Sequence, residues 1–211
     1  RMKSILKMNN VNVRLDIRQS NTQYIYVQIS WRPSSHSQSF SLPSWTPGSY
    51  TIRDHVQYLF DLELIQNNRQ LIPERFSTNR WTLNIDSLAE ITMSYKIEAR
   101  NLTVRTCYLS PDFASLCLSA AVMLIEEKRF IPHHLIVLTA ASWNIYTPLP
   151  GDYIKIADNY DQLIDSPVHS VNILPIEFYV NDNKHQYLII GNNPISLPKE
   201  FIKDITSICK S

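Results

Sequence analysis

The sequence predicts a mainly β fold, either an antiparallel β-sandwich or an open barrel, with only two helices. Three observations lead to this prediction. Apolar side chains alternate with polar ones over several segments, as in strands that bury one face. Asn, Asp, Ser and Pro separate these segments and supply the turns, because glycine is scarce, with three residues. Hydrophobic residues make up 44% of the 211 residues, which is enough for a packed core.

Three segments give the clearest strands, at residues 11–17, 25–31 and 91–99. The last of them places a charged face against an apolar face, as expected for an antiparallel sheet with one side on the core. His133 and His134 precede an apolar run and predict a polar turn. Further strands are predicted at 58–65, 80–85, 173–180 and 185–190, and a central strand at 135–138.

Helical signals are confined to two places. Residues 159–164 predict a short helix. Near the C-terminus, Ser196 or Leu197 can cap a helix and Pro198 suits its first turn. Phe201, Ile202, Ile205, Ile208 and Cys209 then recur at helical spacing. We therefore divide the chain into an all-β domain, residues 1–194, and a C-terminal helix, residues 195–211.

Charge and hydropathy exclude several classes of partner. The 20 basic and 19 acidic side chains give a net charge of +1, which argues against nucleic acid and against a polybasic membrane-binding surface. After Arg1 and Lys3, no apolar run of signal-peptide length precedes Asn9, and no stretch approaches the roughly 18 apolar residues of a membrane span. The three cysteines do not suggest a disulfide framework. We expect a cytoplasmic protein, with the reactivity of Cys107, Cys117 and Cys209 left open.

Motifs of common catalytic and metal sites are missing from the sequence. None of the six histidines forms the HExxH pattern that holds a catalytic zinc on a helix. The three glycines are too far apart for a GxSxG elbow, a GxGxxG loop or a P-loop. We therefore predict neither catalytic nor metal-binding residues in this chain.

The most distinctive segment is LPSWTPGSYTIRDH, residues 42–55. Pro47 and Gly48 suit a type II turn, because glycine tolerates the positive φ of its third position. Two aromatic side chains bracket the turn, and an Arg-Asp pair follows, which suggests a fixed polar network. On these residues alone, a structural corner and a binding or interface role both stay open. The four side chains are Trp45, Tyr50, Arg53 and Asp54.

This segment resembles the signature of the N-terminal domain of M61 peptidases, the glycyl aminopeptidase family. Two more segments are similar to that family: YKIEARNLTVRTCYLS at residues 95–110 and DNYDQLIDSPVH at residues 158–169. The three segments occur in the family's order and extend the resemblance over most of the chain. His55 stands where an aromatic residue is more usual, and Asn101 where Asp is common, so substrate preference is not carried over.

The resemblance implies a β-sandwich with saddle-like sheets, similar to the N-terminal domain of M1 aminopeptidases. It implies a non-catalytic domain of a zinc-dependent aminopeptidase, packing against the catalytic domain of the same polypeptide. There the domain would help shape the cleft for the amino terminus of a peptide substrate. The zinc would belong to the catalytic domain, which this chain does not contain, and no cofactor is expected in this chain. The parent protein would be a metallopeptidase, whereas we expect this chain to be inactive alone.

Eight residues are candidates for the interdomain or cleft-facing surface, although each of them could instead only fix a turn. Arg53 could pair with Asp54 or Asp165, and Arg105 with an acidic group of the catalytic domain. The alternative function is a free-standing binding module for peptide or carbohydrate, with some of the 11 Tyr and four Trp as a stacking platform. Strand phase, however, places Trp31, Trp81 and Tyr95 in the core. The eight candidates are Trp45, Tyr50, Arg53, Asp54, Arg105, Tyr108, Asp165 and Ser166.

Overall fold

The structure is a computed structural model that describes residues 10–44, 54–191 and 200–208. Within these residues the chain forms 17 strands and two α-helices, which confirms the predicted mainly β fold. The strands are β1 (Val11–Asp16), β2 (Tyr24–Trp31), β3 (Ser37–Ser41), β4 (Leu59–Gln66), β5 (Arg69–Leu71), β6 (Glu74–Ser77), β7 (Arg80–Asn84), β8 (Ile91–Glu98), β9 (Tyr108–Leu109), β10 (Phe113–Leu116), β11 (Leu124–Ile125), β12 (His133–Leu138), β13 (Asn144–Tyr146), β14 (Lys155–Ala157), β15 (Val168–Val171), β16 (Ile176–Val180) and β17 (Asn183–Tyr187). The helices are α1 (Tyr160–Asp165) and α2 (Phe201–Ile208).

The largest sheet has seven strands in the order β14-β12-β1-β2-β8-β4-β5. Neighbouring strands of this sheet pair antiparallel, except β1 and β12, which run parallel. Burial alternates along β1, β2 and β8, as the sequence predicts, so one face of the sheet lies on the core. The other face carries the polar positions of the same strands.

The smaller sheets complete the sandwich. One has the order β13-β15-β10-β9 and another β11-β3-β7-β6, while β16 and β17 form a separate hairpin. A single core cluster joins buried side chains of the seven-stranded sheet with those of the two four-stranded sheets. Trp31, Trp81 and Tyr95 belong to this core, as their strand phase predicts. The Tyr95 hydroxyl donates to the Ala121 carbonyl at 2.7 Å and accepts the Met123 amide at 3.0 Å.

Both predicted helices are present. Helix α1 begins at Tyr160, one residue after the expected start. The described part of the C-terminal helix is α2, where Phe201 packs edge-on against Tyr187 with ring centroids 5.0 Å apart. The capping positions predicted at Ser196, Leu197 and Pro198 lie outside the described residues.

The prediction of a polar turn at His133 and His134 is wrong. Both residues belong to β12, paired with β1 on one side and β14 on the other. His133 is buried, with its Nδ1 2.9 Å from the Ile131 carbonyl, which gives its polar ring a partner inside the fold. Because strand pairing satisfies the backbone of both residues, polar side chains here do not end the strand.

No helix among the described residues combines the length and apolar character needed to cross a membrane.

Candidate functional site

A groove of about 970 Å³ opens beside helix α1, and we call it the α1 groove. Its lining comes from four parts of the chain: His55, residues 102–106, residues 115–119 and residues of the segment 159–169. Three of these parts fall in the three segments that resemble the M61 family. The fold therefore brings together segments that are up to about a hundred residues apart in sequence.

Helix α1 forms one wall of the groove and is fixed at its start by capping and burial. The Asn159 side chain accepts the Gln162 amide at 2.9 Å, the pattern of a helix N-cap. Tyr160 is 2% exposed and its hydroxyl donates to the Val122 carbonyl at 2.7 Å. Its backbone amide donates to the Arg129 carbonyl at 2.9 Å. This wall is therefore held by the core itself.

Charged and polar side chains extend the same wall outward. Arg129 donates to both carboxylate oxygens of Asp161, at 2.9 and 3.1 Å, and this pairing raises the pKa of the guanidinium. At the other end of the helix, the buried Ser166 hydroxyl donates to the Gln162 carbonyl at 2.8 Å. Asp165, which directly precedes Ser166, is exposed and lines the groove.

The loop of residues 101–106, of which residues 102–106 line the groove, is held mainly by its own side chains. The Thr106 hydroxyl donates to the Asn101 carbonyl at 2.6 Å and lies 2.7 Å from the Thr103 hydroxyl. Thr103 in turn accepts the Arg105 amide at 3.1 Å. These bonds shape the loop but leave its apolar side chains in solvent, with Leu102 57% and Val104 89% exposed.

The sheet below the groove carries a row of cross-strand pairs. Tyr108 lies opposite Ser115, Ser115 opposite His169, and His169 opposite Tyr146. Ser115 and His169 line the groove. The Nδ1 atom of His169 is buried and has no hydrogen-bond partner among the described residues. Burial lowers the pKa of His169 below its usual value, so the ring is neutral at pH 7.

Two thiols lie near the groove floor in different environments. Cys107 is buried, and its sulfur donates to the Cys117 carbonyl at 3.3 Å. Burial raises the pKa of Cys107 to about 12, so it stays protonated and unreactive. Cys117 is half-buried, lines the groove and lies 3.2 Å from the Ser119 hydroxyl.

The structure places the predicted site residues in different settings. Arg105 and Asp165 both line the α1 groove. Asp54 is exposed and directly precedes His55 of the lining. Tyr108 is half-buried against Phe113, with ring centroids 5.0 Å apart, and Ser166 is buried in the helix end. Trp45, Tyr50 and Arg53 lie outside the described residues.

Several lining residues are not among the eight predicted candidates, notably His55, Cys117 and His169. The available signal was their position inside or beside the three segments of resemblance. That signal does not tell which side chains of a strand face a groove, because the order of the strands in the sheet decides this. Among the described residues, we find no group of three or more His, Cys, Asp or Glu side chains arranged to hold a metal ion.

The fold and the groove define a β-sandwich domain with a concave surface built from sequence-distant segments. The chain matches the Peptidase M61 N-terminal domain over residues 12–171, and it belongs to this family. No curated protein sequence gives a significant match.

The chain shares its fold with a solved aminopeptidase N family structure. An aminopeptidase N family protein from Idiomarina loihiensis superposes with a TM-score of 0.87 and 25% identity, covering 95% of this chain and 35% of that chain. Aminopeptidase A from Legionella pneumophila, in complex with aspartic acid, superposes with a TM-score of 0.49 and 10% identity, covering 82% of this chain and 22% of that chain. The M1 zinc metallopeptidase from Deinococcus radiodurans superposes with a TM-score of 0.46 and 6% identity, covering 94% of this chain and 52% of that chain. The chain thus spans about a third of the Idiomarina protein.

Proposed function

We propose that this chain is the non-catalytic N-terminal domain of a zinc-dependent M61-type aminopeptidase. In this proposal the α1 groove packs against the catalytic domain of the same polypeptide and helps shape the cleft for the amino terminus of a peptide. The single observation that supports it is the meeting of the three segments of resemblance in that groove. His55, residues 102–106 and residues of 159–169 all line it.

The side chains of the groove suit a protein interface. Leu102 and Val104 expose apolar surface on a loop beside a concavity, and exposed apolar groups in such a place favour contact with another protein surface. Arg105 and Asp165 form no ion pair with the described residues, so both charges are available to a partner. A combination of apolar and charged side chains is the usual composition of a specific interface.

The zinc and the peptide substrate belong to the proposed full-length protein, and we propose a cytoplasmic location. Cys107 and Cys117 are both free thiols, which suits a reducing compartment. The alternative of a free-standing stacking module receives less support, because Trp31, Trp81 and Tyr95 are buried and offer no ring face to a ligand.

The proposal is tested with the complete natural gene product and with the 211-residue chain, on a panel of aminoacyl anilides. We expect hydrolysis by the complete product, its loss with a chelator, and neither turnover nor stoichiometric zinc in the chain alone. Zinc-dependent turnover by the 211-residue chain, or a natural reading frame that stops after Ser211, would contradict the proposal.

The role of the groove is tested separately by Val104→Glu in the complete product. A charge at this position should weaken domain contact, detected as faster proteolysis between the domains and a changed KM. The matched control is Ile72→Glu, because Ile72 is 84% exposed and does not line the groove. Equal effects of the two substitutions would remove the groove from the interface.

A further inference from the structure

The outer face of the seven-stranded sheet carries a second cavity, of about 580 Å³. Strands β1, β2, β8 and β4 are consecutive there, so their outward side chains form rows across the sheet. The register aligns two such rows, and members of both line the cavity. The first row is Asp16, Tyr26, Lys96 and Phe60, and the second is Arg14, Gln28, Ser94 and Glu63.

A β-bulge in β4 determines which residue completes the second row. Phe60 pairs with Lys96, yet Ser94 pairs with Glu63, so β4 holds one extra residue between these pairs. Without the bulge, Leu62 would lie opposite Ser94. Asp61 accommodates the bulge at a φ of 56°, a left-handed conformation that is unfavourable for most residues other than glycine. Bulges commonly re-aim a side chain, and here the re-aimed side chain is the Glu63 carboxylate.

The charged groups of the first row have partners beside the row. Arg18 donates to Asp16 at 2.9 Å, and Lys96 pairs with Asp61 at 2.7 Å. The ammonium of Lys96 also lies over the ring of Tyr26, 5.6 Å from its centroid. The charges of Asp16 and Lys96 are therefore already paired within the protein.

The second row differs, because its members are not bonded to one another. Within the described residues, the side chains of Arg14, Gln28, Ser94 and Glu63 form neither hydrogen bonds nor ion pairs. Arg14 helps to lower the pKa of Asp16, but the hydrogen bonds of that carboxylate are with Arg18. The row therefore presents a guanidinium, an amide, a hydroxyl and a carboxylate, in this order, to the cavity.

The length and the charges of this row match a short peptide. Adjacent strands lie about 4.8 Å apart, so three spacings place Arg14 and Glu63 about 14 Å from each other. An extended chain covers about 3.3–3.6 Å per residue, so about four residues span this distance. A guanidinium pairs well with a carboxylate, and a carboxylate with an ammonium group. The amide and the hydroxyl between them can bond peptide groups.

We propose that the outer cavity binds a free peptide of about four residues, with its α-carboxylate at Arg14 and its α-amino group at Glu63. The cavity volume falls within the range of about 300–1,000 Å³ found for small-ligand sites. This site lies on the seven-stranded sheet, away from the α1 groove, and does not depend on the proposed function of that groove.

The test uses the 211-residue chain and tetraalanine, with isothermal titration calorimetry and backbone NMR shifts of β1, β2, β8 and β4. We expect saturable binding at millimolar concentrations and shifts confined to these strands. Tetraalanine with an acetylated amino terminus and an amidated carboxyl terminus should bind at least about tenfold more weakly, since both charge-assisted bonds are lost. This comparison needs no protein variant, so it cannot be confused with misfolding.

Variants then test the two ends of the row. Arg14→Glu and Glu63→Arg should each weaken binding about tenfold, whereas the double exchange should restore it with the peptide reversed. Glu74→Lys is the matched control, because Glu74 is exposed on a different sheet. Circular dichroism confirms that each variant is folded. Absent binding by the unmodified chain, equal affinity for the blocked peptide, or no recovery in the double exchange each overturns the proposal.

Discussion

Two lining segments of the α1 groove are held in different ways, and the first, helix α1, is tied to the core by Tyr160 and capped by Asn159. The loop of residues 101–106, which also lines the groove, is held by bonds of its own threonines and exposes Leu102 and Val104. Both belong to segments that resemble the same family. Resemblance alone therefore does not distinguish a residue that stabilises the fold from one that presents a surface, whereas burial and bonding do.

The largest effect on stability is expected at Tyr160, the buried residue that ties helix α1 to the core. Tyr160→Ala should lower the free energy of unfolding by about 3–5 kcal/mol, because it removes a buried ring and leaves a cavity. Tyr160→Phe keeps the ring and should cost about 1–3 kcal/mol, the price of an unpaired Val122 carbonyl. Urea denaturation followed by fluorescence measures both. If Tyr160→Ala cost as little as a surface substitution, helix α1 would not be anchored as described.

A pH test compares the buried His133 with His169, which lines the groove. Burial lowers the pKa of His133 to about 4, against about 6.5 in the unfolded chain. Between these values the unfolded state binds more protons, so stability is full above pH 6.5 and falls as the pH drops toward 4. From pH 7 to pH 5 the loss is about 2 kcal/mol for His133 alone.

The measurement is the urea unfolding free energy of the unmodified chain, His133→Asn and His169→Asn at both pH values. We expect His133→Asn to remove most of the pH dependence. His169 has its pKa lowered in the same direction, with burial as the cause, so its replacement should remove a smaller part. The reverse order would indicate that the groove floor, not the core, is the more strongly desolvated site.

Helix capping should give an intermediate effect. Asn159→Ala removes the acceptor for the Gln162 amide and should destabilise the chain by about 1 kcal/mol. Asn159→Asp keeps an acceptor at the same position and should retain most of the stability. Thermal unfolding detects the difference, and equal losses for both substitutions would show that the cap does not hold the helix.

The smallest effect on stability is expected in the exposed loop of residues 101–106. Val104→Ala and Arg105→Ala should each change the unfolding free energy of the isolated chain by no more than about 0.5 kcal/mol. The same substitutions should matter for contact with a partner, if the proposed interface is correct. A loss of several kcal/mol in the isolated chain would mean that this loop is part of the fold's support.

Much of the fold was predictable because alternation is a local property. A strand that buries one face must place apolar side chains at every second position, and β1, β2 and β8 do so over most of their length. The same local reasoning locates α1 and α2. It fails at His133, where a polar residue is buried in a strand because a neighbouring carbonyl satisfies its ring.

The sequence by itself therefore determined the β-rich class, the two helices and the three segments that mark the family. Only the tertiary structure decided that β1 pairs parallel with β12, that a bulge at Asp61 turns Glu63 outward, and that Arg105 and Asp165 line one groove while Ser166 is buried. The physical reason is that period and propensity depend on neighbours in the chain. Strand partners, bulges and grooves depend instead on contacts between residues that are far apart in sequence, and packing alone selects among them.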